Sequence, residues 1–184
     1  MKMHRYLILA FCILISSCVH LKTPQRDDLV RLKASMAIGK YPINSERTFK
    51  TRNEIDTTVV DTIWSYFTDS VVKDKSRLAK ATHIELYLID KKHIKSILFN
   101  GNTPMDTGII KGRLRKGYFR THDLSFTGIP PFYWSMSSAK MQFGLGKEKQ
   151  LYIDTADETS GSILIFGASM GGFTRSRIVP AFVR

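Results

Sequence analysis

The stretch THIELYLIDKKHIKSILFNGN, Thr82 to Asn102, decides how the rest of this chain is read. Ile84, Leu86 and Leu88 alternate with His83, Glu85 and Tyr87, the two-residue period of a strand with one face buried. The polar Asp90-Lys91-Lys92-His93 turns the chain, and Ile94 to Phe99 returns as a hairpin partner. That pairing places His83 near Asn100 and away from His93, so the two histidines do not form a metal pair.

Working outward, Ile109 to Arg115 is a further strand bounded by Asn100-Gly101-Asn102 and Gly117. Short β runs recur at Tyr118 to Phe126, Ala139 to Leu145, Gln150 to Asp154 and Ser162 to Phe166, with Gly-, Pro- and Asp-containing turns between them. This spacing predicts a mainly β chain, a single antiparallel β-sandwich or small barrel with one or two short helices. Upstream, Asp56-Thr57-Thr58 offers an N-cap, and Val60, Ile63, Trp64, Phe67 and Val71 follow at three- and four-residue steps. The pattern predicts a helix over Thr57 to Phe67 that packs Trp64 on a sheet. Its β-branched Thr and Val residues make a strand the alternative.

The N-terminus has a separate meaning. Lys2 and Arg5 precede an apolar run from Tyr6 to Ile15, the h-region length of a secretory signal, and the run ends in Leu14-Ile15-Ser16-Ser17-Cys18. This ending resembles the lipobox of bacterial lipoprotein precursors. The resemblance implies cleavage after Ser17, a diacylglycerol on the Cys18 thiol as the covalent lipid, and anchorage to the bilayer. Val19, a non-Asp residue after the cysteine, implies the outer membrane over the inner. Residues 1–17 are then a signal peptide and 18–29 a polar, lipid-anchored tether with Pro24 in it. Residues 30–184 form a single β-rich domain. The other cysteine, Cys12, lies in the discarded segment, so the mature chain carries no disulfide and no free thiol nucleophile.

Loss of Met1 to Ser17 removes Lys2 and Arg5 and no acid, leaving 26 Lys+Arg against 16 Asp+Glu, a formal charge of +10. Such a balance draws the domain to anionic lipid headgroups or acidic glycans. Export argues against nucleic acid. Lys111, Arg113 and Arg115 alternate with Ile110, Gly112 and Leu114, which puts three positive charges on one strand face and makes them the candidate anionic-ligand site. A solvated outer face or a protected edge is the competing assignment. Tyr133 and Trp134, beside Gly128-Ile129-Pro130-Pro131, are the candidate aromatic contact for sugars or a membrane interface, against a role in capping a core.

Catalytic signals are weak. Gly167-Ala168-Ser169-Met170-Gly171 fits G-x-S-x-G, yet no His, Asp or Glu follows Ser169, so the Ser-acid-His order of an α/β-hydrolase is unavailable and the segment is expected to be a glycine turn. Asp154, Asp157 and Glu158 fit no calcium-loop spacing and are expected to form a polar hairpin turn. Gly39-Lys40-Tyr41 is similar to the G-x-W opening of lipocalin-type barrels, with Tyr in place of Trp. It implies, as an alternative, a carrier with an apolar pocket. The expectation is a non-catalytic binding or structural module with no metal and no cofactor beyond the lipid. A serine hydrolase using Ser169 is the remote alternative.

Overall fold

The computed structural model describes residue 21 and residues 26–50, 56–68, 75–129, 132–163 and 166–182, with backbone only at 47–50, 56–59, 75–77, 163 and 166–171. Cys18 and its lipobox lie outside the described residues. In chain order the elements are β1 Leu29–Val30, β2 Met36–Pro42, β3 Asn44–Lys50, β4 Asp56–Thr62, a 3-10 turn Ile63–Tyr66 and α1 Lys75–Lys80. Then follow β5 His83–Leu88, β6 His93–Asn100, β7 Thr103–Lys111, β8 Arg113–Arg115, β9 Tyr118–Ile129, β10 Tyr133–Gly146, β11 Leu151–Ile163 and β12 Phe166–Val179.

One sheet has the order β2-β5-β6-β7, a second the order β12-β11-β10-β9-β8 with β1 added on β10, and β3 pairs β4 alone. The fold is mainly β, with antiparallel pairing and a sandwich-like core. Neither order returns to its first strand, so among the described residues the sheets are open and no lipocalin-type closed barrel is formed. The β5–β6 hairpin falls where its alternation placed it, with His83 opposite Phe99 and Leu88 opposite Ile94.

The chain packs as two compact units. The first comprises the described residues of Pro24–His122, Met141–Asp154 and Ser176–Arg184. Its core joins Ile84, Leu86, Leu88 and Ile94 of the four-stranded sheet to Phe119, Phe143 and Ile153 of the six-stranded one in a single buried cluster. Trp64 and Phe67 are fully buried there, and the Phe67 ring lies 4.5 Å from that of Phe143. The second unit comprises the described residues of Asp123–Lys140 and Thr155–Arg175. Its large apolar side chains are mostly exposed, among them Leu124, Phe126, Ile129, Phe132 and Phe173.

Three expectations are corrected. Thr57 to Phe67 is not a helix: Asp56 to Thr62 pairs as β4 with β3, and only Ile63–Tyr66 turns helically, closed by Phe67 N–H donating to the Trp64 carbonyl at 2.9 Å. The run of Thr57, Thr58, Val59, Val60 and Thr62 prefers the pleated backbone, and pairing decides the matter. Trp64 nevertheless packs into the core as expected. Asp154 to Gly161 and Gly167 to Gly172, expected as turns, lie inside β11 and β12. A strand requires paired backbone groups more than apolar side chains, and in β11 the polar residues Asp154, Thr155 and Glu158 are themselves buried, so no two-residue apolar rhythm marks the segment. Finally, Ile109 to Arg115 is broken at Gly112, so that Lys111 ends β7 in one sheet and Arg113–Arg115 forms β8 in the other.

Candidate functional site

The break at Gly112 organises the basic region of the first unit. A Cβ at Gly112 would stand 2.5 Å from the Phe119 ring, so only glycine lets the chain pass over this core residue. Gly112 N–H donates to the Lys92 carbonyl at 2.8 Å and Leu114 N–H to that of Lys91 at 2.9 Å, tying the β5–β6 turn to β8. β8 then reverses into β9 through Lys116 (φ 51°) and Gly117 (φ 80°), with Arg115 opposite Tyr118. Two positive φ values in a two-residue loop define the hairpin turn whose twist suits the flanking strands.

Alternation survives the break between sheets. Ile110 is buried and Leu114 half-buried, whereas Lys111, Arg113 and Arg115 are exposed. Among the described residues none of these three cations makes an ion pair. Arg113 stands directly opposite Arg120 in the β8–β9 register, and like charges facing across an antiparallel pair repel.

A groove of about 540 Å³ opens beside β8. Leu29, Leu32 and Leu114 line it together with Arg31, Lys91, Lys116 and the backbone of Gly117. A Cβ on Gly117 would lie 2.7 Å from Leu29 Cδ2, so the bare glycine makes room for one wall of the groove.

That wall is held by a buried polar cluster. The Arg26 guanidinium donates to both oxygens of Asp154, at 2.9 and 3.1 Å, and lies 4.0 Å from the centre of the Tyr152 ring. Asp154 also accepts from Gln142 at 2.9 Å and from Ser176. Burial works against the charge on Arg26, but the Asp154 hydrogen bonds and charge outweigh it and raise its pKa above the ordinary value. Two residues on, Asp28 accepts from Gln150 at 2.7 Å and Tyr152 at 2.5 Å. The fold therefore takes hold of the chain at Arg26 and Asp28, inside the stretch expected as tether.

A second polar cluster sits on the four-stranded sheet. His83 is sandwiched between Phe99 and Phe182, with ring centroids 5.1 and 5.2 Å away. Its Nδ1 is 3.0 Å from Thr82 Oγ1, which itself donates to the Phe99 carbonyl at 3.1 Å. With its proton committed to a carbonyl, that hydroxyl is not set up as a nucleophile. Burial raises the Glu85 pKa, but hydrogen bonds from Lys40, at 2.6 Å, and from Tyr87 prevail and hold the carboxyl below the usual range.

The other sequence candidates are placed as follows. Tyr133 is exposed, and Trp134 is half-buried and stacked on Phe126 with centroids 6.3 Å apart, all in the second unit and not in the one that carries Lys111, Arg113 and Arg115. The Ser169 backbone lies within β12, so the strand-turn-helix that a nucleophile elbow requires is not formed. Asp154 belongs to the Arg26 cluster, and Asp157 and Glu158 continue the same strand. Sequence reasoning missed Leu29, Arg31, Leu32, Lys91 and Lys116 as site residues, because no local pattern links three separate stretches of chain. No protein-family model, curated protein or solved structure matches the chain.

Proposed function

We propose that the mature chain is a lipoprotein of the bacterial envelope, anchored through Cys18, whose folded part is a non-catalytic module that binds phosphate- or carboxylate-bearing surfaces through Lys111, Arg113 and Arg115. The observation that carries this reading is the exposure of Lys111, Arg113 and Arg115, none of which makes an ion pair among the described residues. Neighbouring cations with no anionic partner attract an anion that settles among them. The envelope assignment rests on the lipobox, and the outer membrane is favoured by Val19. Tyr133 and the stacked Phe126–Trp134 pair supply a weaker aromatic contact, suited to an interface or a sugar face.

Anchorage is tested by fatty-acid labelling, which is expected to vanish in Cys18→Ala; persistent label sinks it. For the basic face, lipidated protein is placed in neutral phosphatidylcholine vesicles and phosphatidylglycerol vesicles are added. Association is expected at 0.05 M salt and lost near 1 M, where screening shortens to about 3 Å. The triple variant Lys111→Ala/Arg113→Ala/Arg115→Ala is expected to abolish it, whereas Lys33→Ala/Lys80→Ala/Lys147→Ala leaves most of it. Equal losses in the two variants would reduce the effect to net charge. An acidic glycan added as competitor distinguishes a sugar from a lipid headgroup as the preferred source of the anion.

A further inference from the structure

The groove beside β8 has a chemistry that the exposed basic face lacks. Its leucines, buried or half-buried, come from β1, the segment after it and β8, and its cations, all exposed, from three different turns or loops. Among the described residues Arg31, Lys91 and Lys116 make no ion pair. Two carboxylates that neighbour the groove residues in sequence, Asp90 and Asp28, are already engaged. Asp90 accepts from the backbone N–H groups of Lys92 and His93 and contacts the His93 ring, while Asp28 is held by Gln150 and Tyr152. A volume of about 540 Å³ lies within the range of ligand pockets, roughly 300–1,000 Å³.

We infer that this groove binds one anionic single-chain amphiphile, with its alkyl chain on the half-buried Leu29 and Leu114 above the core residue Leu32, and its phosphate or carboxylate head among Arg31, Lys91 and Lys116. Charge complementarity selects this occupant. An apolar peptide would leave three cations facing nothing, and a free anion would leave the exposed parts of Leu29 and Leu114 wet. Lys91 and Lys116 reach the head from two turns that β8 fastens together, and Arg31 from the segment secured by the Arg26–Asp154 pair. The backbone that carries the three cations is thus fixed before the ligand arrives, and the ordering cost of binding falls on their exposed side chains. It uses none of Lys111, Arg113 or Arg115 and stands independently of their role.

The test uses lipidated full-length protein in phosphatidylcholine vesicles with two photoreactive probes, a diazirine-bearing dodecyl phosphate and a dodecyl maltoside carrying the same diazirine. Adducts are mapped by mass spectrometry. The phosphate probe is expected to label Leu29–Leu32 or Leu114–Gly117 about tenfold above the maltoside, since charged hydrogen bonds to the head add that much. Unlabelled dodecyl phosphate is expected to compete and inorganic phosphate not to. Lys91→Gln/Lys116→Asn, whose Asn tolerates the left-handed turn position, is expected to lower labelling about tenfold with its thermal melt unchanged. Lys111→Ala/Arg113→Ala/Arg115→Ala is expected to leave it intact, so that this inference and the basic-face reading fail separately. Equal labelling by the maltoside, adducts elsewhere, or no effect of the Lys91/Lys116 change overturns the proposal. Competition by inorganic phosphate as effective as by dodecyl phosphate also overturns it, in favour of a free-anion site.

Discussion

Arg26 shows how one side chain ties the segment before β1 to the fold. Its bidentate contact with a buried carboxylate is the strong form of ion pair, and removal of one partner strands the other. Arg26→Ala is therefore expected to cost about 3 kcal/mol in denaturant unfolding. Arg26→Lys, which keeps the charge but loses the fork, is expected to fall between wild type and Ala; an unchanged midpoint for Arg26→Ala would mean the pair contributes nothing. Glu85 adds a pH term. Its folded pKa is depressed, so its contribution is present above the unfolded value and lost as pH falls through the folded one. Thermal melts of wild type are expected to weaken below about pH 4.5, and Glu85→Gln to flatten that part of the profile. No local pattern announced either group: an Arg in a polar stretch and a Glu on a strand's polar phase look like solvated residues until their partners, over a hundred and some forty-five positions away, are in place.

Among the elements, the β8–β9 hairpin does most to shape the basic region. Gly117→Ala is expected to destabilise by about 2 kcal/mol, because an L side chain is strained at φ 80° and its Cβ would also displace Leu29. Gly117→Asn is expected to recover part of the backbone term but not the lost space, and a melt that separates the two variants checks this. The β5–β6 hairpin was legible from sequence because its inner phase is buried residue by residue. β4 was not, since Val60, Ile63, Trp64 and Phe67 fit a helical period by coincidence when a strand meets a 3-10 turn. β11 and β12 were half legible. Their glycine and acidic segments read as loops, although paired backbone can carry such residues along a strand.

For the molecule as a whole, the two tryptophans report on the two units. Trp64 is fully buried in the first and Trp134 half-buried in the second. In Trp134→Phe the remaining emission is expected to be blue-shifted and shielded from acrylamide. In Trp64→Phe it is expected to be red-shifted and more readily quenched; similar quenching of both variants would contradict this difference in burial. The mainly β class and the alternation that exposes Lys111, Arg113 and Arg115 follow from the amino-acid order alone, as does the resemblance to a lipobox on which the proposed anchorage at Cys18 rests, because alternation, turn chemistry and such a motif are all written in neighbouring residues. The pairing of β4, the continuation of β11 and β12 through polar residues, the Arg26–Asp154 pair and the leucine-and-cation groove follow only from the folded chain. Each of these depends on backbone or side-chain partners far away in sequence, and such partners leave no period in the local pattern.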